Sequence, residues 1–119
     1  MKAHIFLIDH ERTSREALDE ALLSAGYDVV LTADGLEAVD LLSFDRPDLV
    51  ITELDMPNLN GQAVLAEVQK VYPETPVVVY TALATPEHEQ ELRQLGAQDF
   101  LSKTLALDEV LRRLAAVMR

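Results

Sequence analysis

The sequence has no cysteine, no tryptophan and no long hydrophobic run. Without cysteine the chain can form neither disulfides nor thiolate metal sites, which is compatible with a reducing compartment. No apolar run approaches the roughly 18 residues that a membrane-spanning helix needs. The opening stretch MKAHIFLIDH has only a short apolar core interrupted by charge, unlike a secretory signal peptide. We therefore predict a cytoplasmic protein that is not inserted in a membrane.

Basic residues are also scarce. The chain has 10 lysines and arginines against 21 acidic residues, and its net charge is −11. Binding to nucleic acid requires clustered basic side chains that neutralise phosphates, so we expect no direct nucleic-acid binding by this segment. Hydrophobic residues make up 49% of the 119 residues, which argues against disorder and is enough for one independent core.

Short apolar runs rich in β-branched residues alternate with segments of helical period. This alternation is typical of βα units packed around a parallel sheet. The predicted strands are 4–9, 28–32, 48–52, 77–81 and 99–102. The first, third and fourth are almost continuously apolar, which indicates burial on both faces of the sheet.

Capping patterns and glycines predict five helices. The first shows a capping pattern from Thr13 to Glu16 and stops at Gly26, and the second opens at Asp34 and runs to about Ser43. The other three are expected over about 61–71, from near Pro86 to Gly96, and around Leu107, Val110, Leu111 and Leu114. Five βα units predict one α/β domain over residues 1–119, with three layers and right-handed crossovers.

Polar side chains follow several predicted strands at the point where each strand ends. Open parallel sheets bind ligands outside the carboxyl ends of their strands, at the position where the strand order reverses. The residues concerned are Asp9, His10, Glu11, Glu53, Thr81 and Lys103. Acidic, imidazole, hydroxyl and ammonium groups around one cleft are able to bind a cation, a phosphoryl group or both.

Motifs in a fixed order cover nearly the whole chain. They are IFLIDHE, GYDVVLTADGLEAVDLL, RPDLVITELDMPNLNG, TPVVVYTA and LGAQDFLSKT. With these motifs the chain resembles the receiver domains of two-component response regulators, and it is similar throughout to the single-domain chemotaxis regulators. The resemblance implies a flavodoxin-like α/β/α sandwich with strand order 2-1-3-4-5 and five helices.

The resemblance also implies roles for particular residues. In that family a strand-end Asp accepts a phosphoryl group from a histidine kinase, and an acidic pair after the first strand holds Mg²⁺. A Thr or Ser senses the phosphoryl group and a Lys contacts it. By position, Lys103 is the lysine and Thr81 the switch hydroxyl, with Ala82 after it. Phe100 stands where an aromatic residue moves between exposed and buried positions.

Two site positions depart from the family pattern. Asp9 corresponds to the first member of the acidic pair, but His10 stands where the direct metal ligand is expected. The acceptor lies four residues before the motif proline, and counting back from Pro57 gives Glu53. Asp55 occupies a loop position whose main-chain carbonyl helps to coordinate the metal in the family, and we expect its side chain to face solvent.

These substitutions weaken both the acceptor and the metal site. Glutamate carries its carboxylate about 1 Å or more beyond the normal acceptor position, and misplacement on that scale costs on the order of 100-fold in rate. An imidazole ligand favours Zn²⁺ or Ni²⁺ over Mg²⁺, so we assign no cofactor and expect Mg²⁺ binding to be weakened. Thr104 replaces the family's proline after Lys103, and we expect a trans peptide bond or a rearranged loop there.

The leading hypothesis is a degenerate receiver, a regulatory domain and not an enzyme, that signals without phosphorylation. A direct ion pair between Glu53 and Lys103 would imitate the contact that a phosphoryl group makes with the lysine. Residual Mg²⁺-dependent phosphoryl acceptance at Glu53 or Asp55 is one alternative. A transition-metal or pH-sensing site at Asp9, His10 and Glu53 is another. Glu53 marking an inert pocket and His10 being a surface residue also stay open.

The expected partners are proteins: a histidine kinase, an output domain or a downstream protein. A homodimer through the fourth helix, fifth strand and fifth helix is a further expectation, because Asp99, Arg112 and Arg113 offer opposite charges there. A flavin or nucleotide carrier is disfavoured, since the carboxylates after the first strand would repel phosphate and no glycine-rich cradle follows it. The chain stops at the end of its last helix, which fits either a stand-alone regulator or a receiver that is the N-terminal part of a longer protein, and we favour the second.

Overall fold

The computed structural model describes residues 2–119, which form five strands and five helices in strict alternation. The strands are β1 (His4–Ile8), β2 (Asp28–Thr32), β3 (Leu49–Thr52), β4 (Val77–Thr81) and β5 (Asp99–Ser102). The helices are α1 (Arg12–Ser24), α2 (Gly35–Leu41), α3 (Gly61–Val71), α4 (Pro86–Gln94) and α5 (Leu107–Val117). Every predicted element is present, and each strand agrees with its predicted range to within one residue. No helix in this part of the chain is both long enough and apolar enough to cross a membrane.

The five strands form one parallel sheet in the order β2-β1-β3-β4-β5, which confirms the expected topology. Ile8 at the end of β1 lies opposite Thr32 on one side and Thr52 on the other, and Thr81 lies opposite Ser102. The last residues of β1, β2 and β3 are therefore in register. This register places the segments that follow β1 and β3 side by side, where the strand order reverses.

Alternate residues of the central strands face two separate apolar layers. On β1, Phe6 and Ile8 face the layer under α2, α3 and α4, whereas Ile5 and Leu7 face the layer under α1 and α5. All four side chains are almost completely buried, as predicted from the continuous apolar run. Each contributes roughly 1.5–3 kcal/mol to folding by leaving water. The sheet is thereby a rigid support for the loops at its carboxyl edge.

The helix starts agree with prediction for α2 but not for α1. Asp34 caps α2, since its carboxylate accepts a hydrogen bond from the N–H of Leu36 at 2.8 Å. The predicted capping pattern from Thr13 is wrong, because α1 already begins at Arg12 with Glu11 at the cap position. The N–H of Glu11 is bound instead by the Asp9 carboxylate at 3.0 Å.

Three helix ends differ slightly from the predicted limits, and α1 ends at Ser24, two residues before the predicted Gly26. α2 ends at Leu41, and Leu42 is its C-cap, so the helix stops before the predicted Ser43. α4 ends at Gln94, and Gly96 just beyond it has φ +111°, a conformation that favours glycine. The glycine stop signal therefore marks the turn after the helix and not its last residue.

Asp99 of β5 joins α4 to α5. Its carboxylate accepts a hydrogen bond from Arg93 at 2.8 Å and two from Arg113, at 2.9 and 2.5 Å. Arg112, which the sequence places on the same surface, does not join this group: it binds Glu109 of its own helix, at 2.5 Å. Glu109 lies one turn before Arg112 on an exposed face of α5, so it is the nearer partner for that guanidinium.

This arrangement makes an acid-sensitive contribution to stability. Burial alone would raise the pKa of Asp99, but hydrogen bonds from Arg113, the Phe100 N–H and Arg93 outweigh it and lower the pKa below its ordinary value. A lowered folded-state pKa gives stability that is present above the unfolded pKa of about 3.9 and is lost as pH falls through the folded value.

We expect Asp99→Asn to lower the free energy of unfolding by roughly 1–3 kcal/mol at pH 7, and by less near pH 3. Urea unfolding at both pH values measures this difference. Asp40→Asn removes the same charge from an exposed position of α2 and serves as the control. Parallel pH profiles for the wild type and Asp99→Asn would contradict the expectation.

Candidate functional site

Asp9, Glu53 and Lys103, which are far apart in the sequence, meet at the carboxyl edge of the sheet. The Lys103 Nζ lies 2.9 Å from Asp9 Oδ2 and 2.9 Å from Glu53 Oε1. The side chains are 8%, 2% and 6% exposed for Lys103, Asp9 and Glu53 respectively. The site is thus a closed cluster of one cation and two anions, with Glu11 at its rim 3.5 Å from the ammonium.

Main-chain hydrogen bonds hold each of these residues just beyond its strand. The sheet pairing continues through Asp9 N–H to Thr32 (3.0 Å), Glu53 N–H to Ile8 (2.9 Å) and Lys103 N–H to Thr81 (2.9 Å). Behind Glu53 the chain comes very close to the start of α3, where a side chain at Gly61 would collide with the Glu53 carbonyl. The side chains are therefore fixed by the sheet and by packing of the following loop, not by a flexible segment.

The Lys103 ammonium has a full set of acceptors inside the protein. It lies within 3.0 Å of both Asp9 carboxylate oxygens, within 2.9 Å of Glu53 and within 2.8 Å of the Ser14 hydroxyl. Sequence reasoning missed Ser14. Ser14 lies in the first turn of α1, close to the loop that follows β1. A polar residue so near Asp9 in the sequence was the only feature that could have indicated its role.

Electrostatics keep this lysine charged. Burial alone would lower the pKa of Lys103, but the hydrogen bonds to Glu53 and Asp9, together with their negative charges, raise it above its ordinary value. The ammonium also lies 5.9 Å from the centre of the Tyr80 ring, within the range of a cation–π contact. Lys103 therefore supplies a positive charge inside the pocket at neutral pH.

The oxygens of the two buried carboxylates are all engaged within the protein. Besides the lysine, Asp9 accepts hydrogen bonds from the Glu11 N–H at 3.0 Å and from the Ser14 hydroxyl at 2.6 Å. Glu53 Oε2 accepts one from the N–H of Leu54 at 2.5 Å. A magnesium ion needs free, hard oxygen ligands in octahedral geometry. In this arrangement the ammonium stands among those oxygens, and the residues present do not fit the ion.

His10 and Asp55 lie outside the cluster. Both side chains are exposed, as expected for Asp55, which lines an open groove of about 250 Å³ beside α4. The predicted transition-metal site at Asp9, His10 and Glu53 is not formed: among residues 2–119 no group of three or more His, Asp or Glu side chains is arranged to hold a metal ion. The reason is that Asp9 and Glu53 turn into the pocket while His10 turns to solvent.

The predicted switch residues lie on β4 and β5, beside the cluster. Thr81 is completely buried, and its hydroxyl accepts a hydrogen bond from the N–H of Leu83 at 3.0 Å, while Ala82 is exposed. Phe100 is 5% exposed and packs in the apolar layer under α2, α3 and α4. The peptide bond before Thr104 is trans, as expected for a residue other than proline.

The five-stranded sheet with its polar cluster at the carboxyl edge is shared with receiver domains of known structure. The chemotaxis response regulator CheY4 of Vibrio cholerae aligns with a TM-score of 0.90 and 29% identity, over 98% of this chain and 99% of that one. The receiver domain of the sensor histidine kinase PA1611 from Pseudomonas aeruginosa aligns with a TM-score of 0.89 and 26% identity, over 99% and 98%. That structure has a magnesium ion coordinated in its active-site cleft.

Sequence comparison gives the same classification. Residues 5–115 match the response regulator receiver domain family. The response regulator MprA of Mycolicibacterium vanbaalenii is 37% identical over 119 residues, which is all of this chain and 52% of that protein. The chain belongs to the receiver-domain family of two-component response regulators, which are regulatory signalling domains. It spans about half the length of the curated relatives it matches.

Proposed function

We propose that this receiver domain signals through protein–protein contacts without being phosphorylated. The observation that carries the proposal is the 2.9 Å ion pair between Glu53 and Lys103 inside the pocket. Glu53 stands at the acceptor position of the family. Its carboxylate already binds the lysine that a phosphoryl group would contact. The ion pair thus takes the place of the phosphoryl contact.

The surroundings of Glu53 support this proposal. One carboxylate oxygen is bound by the ammonium and the other by the Leu54 N–H, so both are engaged within the protein and are weaker nucleophiles toward phosphorus. The ammonium offsets one of the two buried carboxylate charges, and His10 supplies no carboxylate for a metal ion. Phosphoryl transfer in this family depends mainly on positioning and on metal-assisted charge neutralisation, and both requirements are poorly met here.

The buried position of Phe100 is consistent with a receiver held in one state. In the family the aromatic residue at this position moves between exposed and buried settings. Phe100 has no polar group to favour exposure, and it packs in the core layer. Moving it into water would cost roughly 1.5–3 kcal/mol. We infer that the domain is held in the setting with Phe100 inside.

The partners in this proposal are proteins: a histidine kinase, an output domain or a downstream regulator in the cytoplasm. α4, β5 and α5 are the proposed contact surface, including a homodimer through the same face. Arg93, Asp99 and Arg113 already pair with one another within the protomer. A partner that binds this face would therefore contact charges that are already paired with one another, and not three unpaired charges.

Incubation with acetyl phosphate, with and without Mg²⁺, tests the proposal. In a reactive receiver a carboxylate oxygen attacks phosphorus, acetate leaves, and an acyl phosphate forms. For this chain we expect no phosphoryl adduct in the intact mass under either condition. A receiver with an Asp acceptor, treated in parallel, is the positive control.

A hydroxylamine-labile, Mg²⁺-dependent adduct would overturn the proposal and establish residual phosphoryl acceptance. Glu53→Gln and Asp55→Asn then identify the acceptor. Loss of the adduct in only the first variant assigns it to the buried pocket. Loss in only the second assigns it to the exposed loop carboxylate.

A further inference from the structure

Ser14 completes the environment of the Lys103 ammonium. An ammonium carries three N–H donors and has no acceptor. The Asp9 carboxylate takes one donor, Glu53 takes the second, and the Ser14 hydroxyl at 2.8 Å takes the third. Glu11, at 3.5 Å, is too distant for a good hydrogen bond. Ser14 is thus the neutral member of a three-acceptor cage.

The direction of each hydrogen bond around Ser14 follows from chemistry. The ammonium can only donate, and an ionised carboxylate can only accept. The hydroxyl therefore receives a hydrogen from Lys103 and donates its own to Asp9 Oδ2, at 2.6 Å, a length typical of a charge-assisted O–H···O bond. Hydrogen bonds in such a chain polarise one another and strengthen the whole.

These contacts connect three separate parts of the fold. Ser14 belongs to α1, Asp9 to the loop after β1, and Lys103 to the loop between β5 and α5. The lysine side chain reaches the pocket from the far edge of the sheet, so nothing in its own loop fixes the position of its amino group. A hydroxyl on α1 that binds both the lysine and its counter-ion supplies that constraint.

We propose that Ser14 is a positioning residue that holds the Lys103 ammonium in the carboxylate pocket, against Glu53. This inference rests on the proposed function, because the Glu53–Lys103 pair is the contact that Ser14 would maintain. Replacing Ser14 by Ala removes the only neutral acceptor close to the almost fully buried ammonium, and it removes the hydroxyl donor from Asp9. Lys103 then spends more time with its amino group outside the pocket.

Hydrogen exchange of the Lys103 ammonium measures this directly. Lysine ammonium groups are detected by ¹H–¹⁵N NMR when their hydrogens exchange slowly with water, and a group held by three protein acceptors is protected. In the wild-type chain we expect a protected Lys103 signal. In Ser14→Ala we expect exchange to be about tenfold faster or more, as estimated from the loss of one hydrogen bond to a charged group.

Two further variants separate positioning from general stability. Ser14→Thr keeps the hydroxyl and is expected to restore protection. Thr13→Ala removes a hydroxyl from the neighbouring, exposed position of α1 and is expected to leave exchange unchanged. Thermal unfolding of all variants serves as the stability reference, because alanine favours the helix and would by itself stabilise α1.

The outcomes distinguish this inference from the proposed function. A protected wild-type signal that Ser14→Ala leaves intact overturns the role of Ser14 but keeps the Glu53–Lys103 pair. Equal acceleration in Thr13→Ala, or no recovery in Ser14→Thr, also overturns the positioning role. A wild-type Lys103 ammonium that exchanges freely overturns both, since the lysine would then not be held in the pocket at all.

Discussion

The double substitution Glu53→Asp with His10→Asp is expected to convert the pocket into one that accepts a phosphoryl group. Aspartate at position 53 withdraws the carboxylate by about 1 Å or more, which separates it from Lys103 and returns it to the family's acceptor position. Aspartate at position 10 adds the second carboxylate next to Asp9 that the family uses for magnesium. Both physical defects of the pocket are then corrected together.

The measurement is the phosphorylated fraction after incubation with acetyl phosphate, read from intact mass. We expect Mg²⁺-dependent, hydroxylamine-labile labelling that is at least about 100-fold faster than in the wild-type chain. Each single substitution is the matched control and should label slowly, because one defect remains in each. If the double variant stays unlabelled while a reference receiver is labelled, a region other than these two positions prevents phosphorylation. The loop at Thr104 is then the first region to test.

The fold was predictable because its signals are local. Continuous apolar runs such as that of β1 are buried on both faces, and the turn after α4 requires the positive φ of Gly96. Asp34 caps a helix through a contact only two residues away. Patterns of this kind depend on neighbours in sequence, so they can be recognised without knowledge of the tertiary structure.

The errors occurred where a neighbour in space competes with a neighbour in sequence. Thr13 resembles a helix cap, but the Asp9 carboxylate takes the N–H of Glu11, so the helix starts earlier. Arg112 was grouped with Asp99 and Arg113 as charges of one contact surface, but the structure pairs it with Glu109 of its own helix. Which partner a side chain binds depends on the three-dimensional positions of the side chains, and the periodicity of the sequence does not predict those positions.

The candidate site shows the same division. The strand-end rule brought Asp9, Glu53 and Lys103 to one edge, because parallel strands end together. It gave no information about Ser14, whose contact with Lys103 spans 89 positions of the sequence. A serine in the first turn of a helix is common for purely local reasons, so only the position of the lysine amino group reveals its role.

Lys103→Met is expected to cause the largest loss of stability among single changes in the pocket. The substitution keeps an apolar stem of similar length but leaves Asp9 and Glu53, at most 6% exposed, without a counter-charge. Removing one partner of a buried ion pair costs about 3–5 kcal/mol, because the remaining charge is left buried and uncompensated. Urea unfolding at neutral pH measures this loss, and Lys70→Met, at an exposed position of α3, is the control.

A double-mutant cycle with Glu53→Gln shows whether the pair itself is responsible. If the two side chains interact directly, Glu53→Gln in the Lys103→Met background relieves repulsion with Asp9, and the double variant is more stable than the sum of the single losses predicts. A coupling energy near zero would mean that Lys103 is held by Asp9 and Ser14 alone. Glu53 would then be a spectator in the pocket, and the ion pair could not replace a phosphoryl contact.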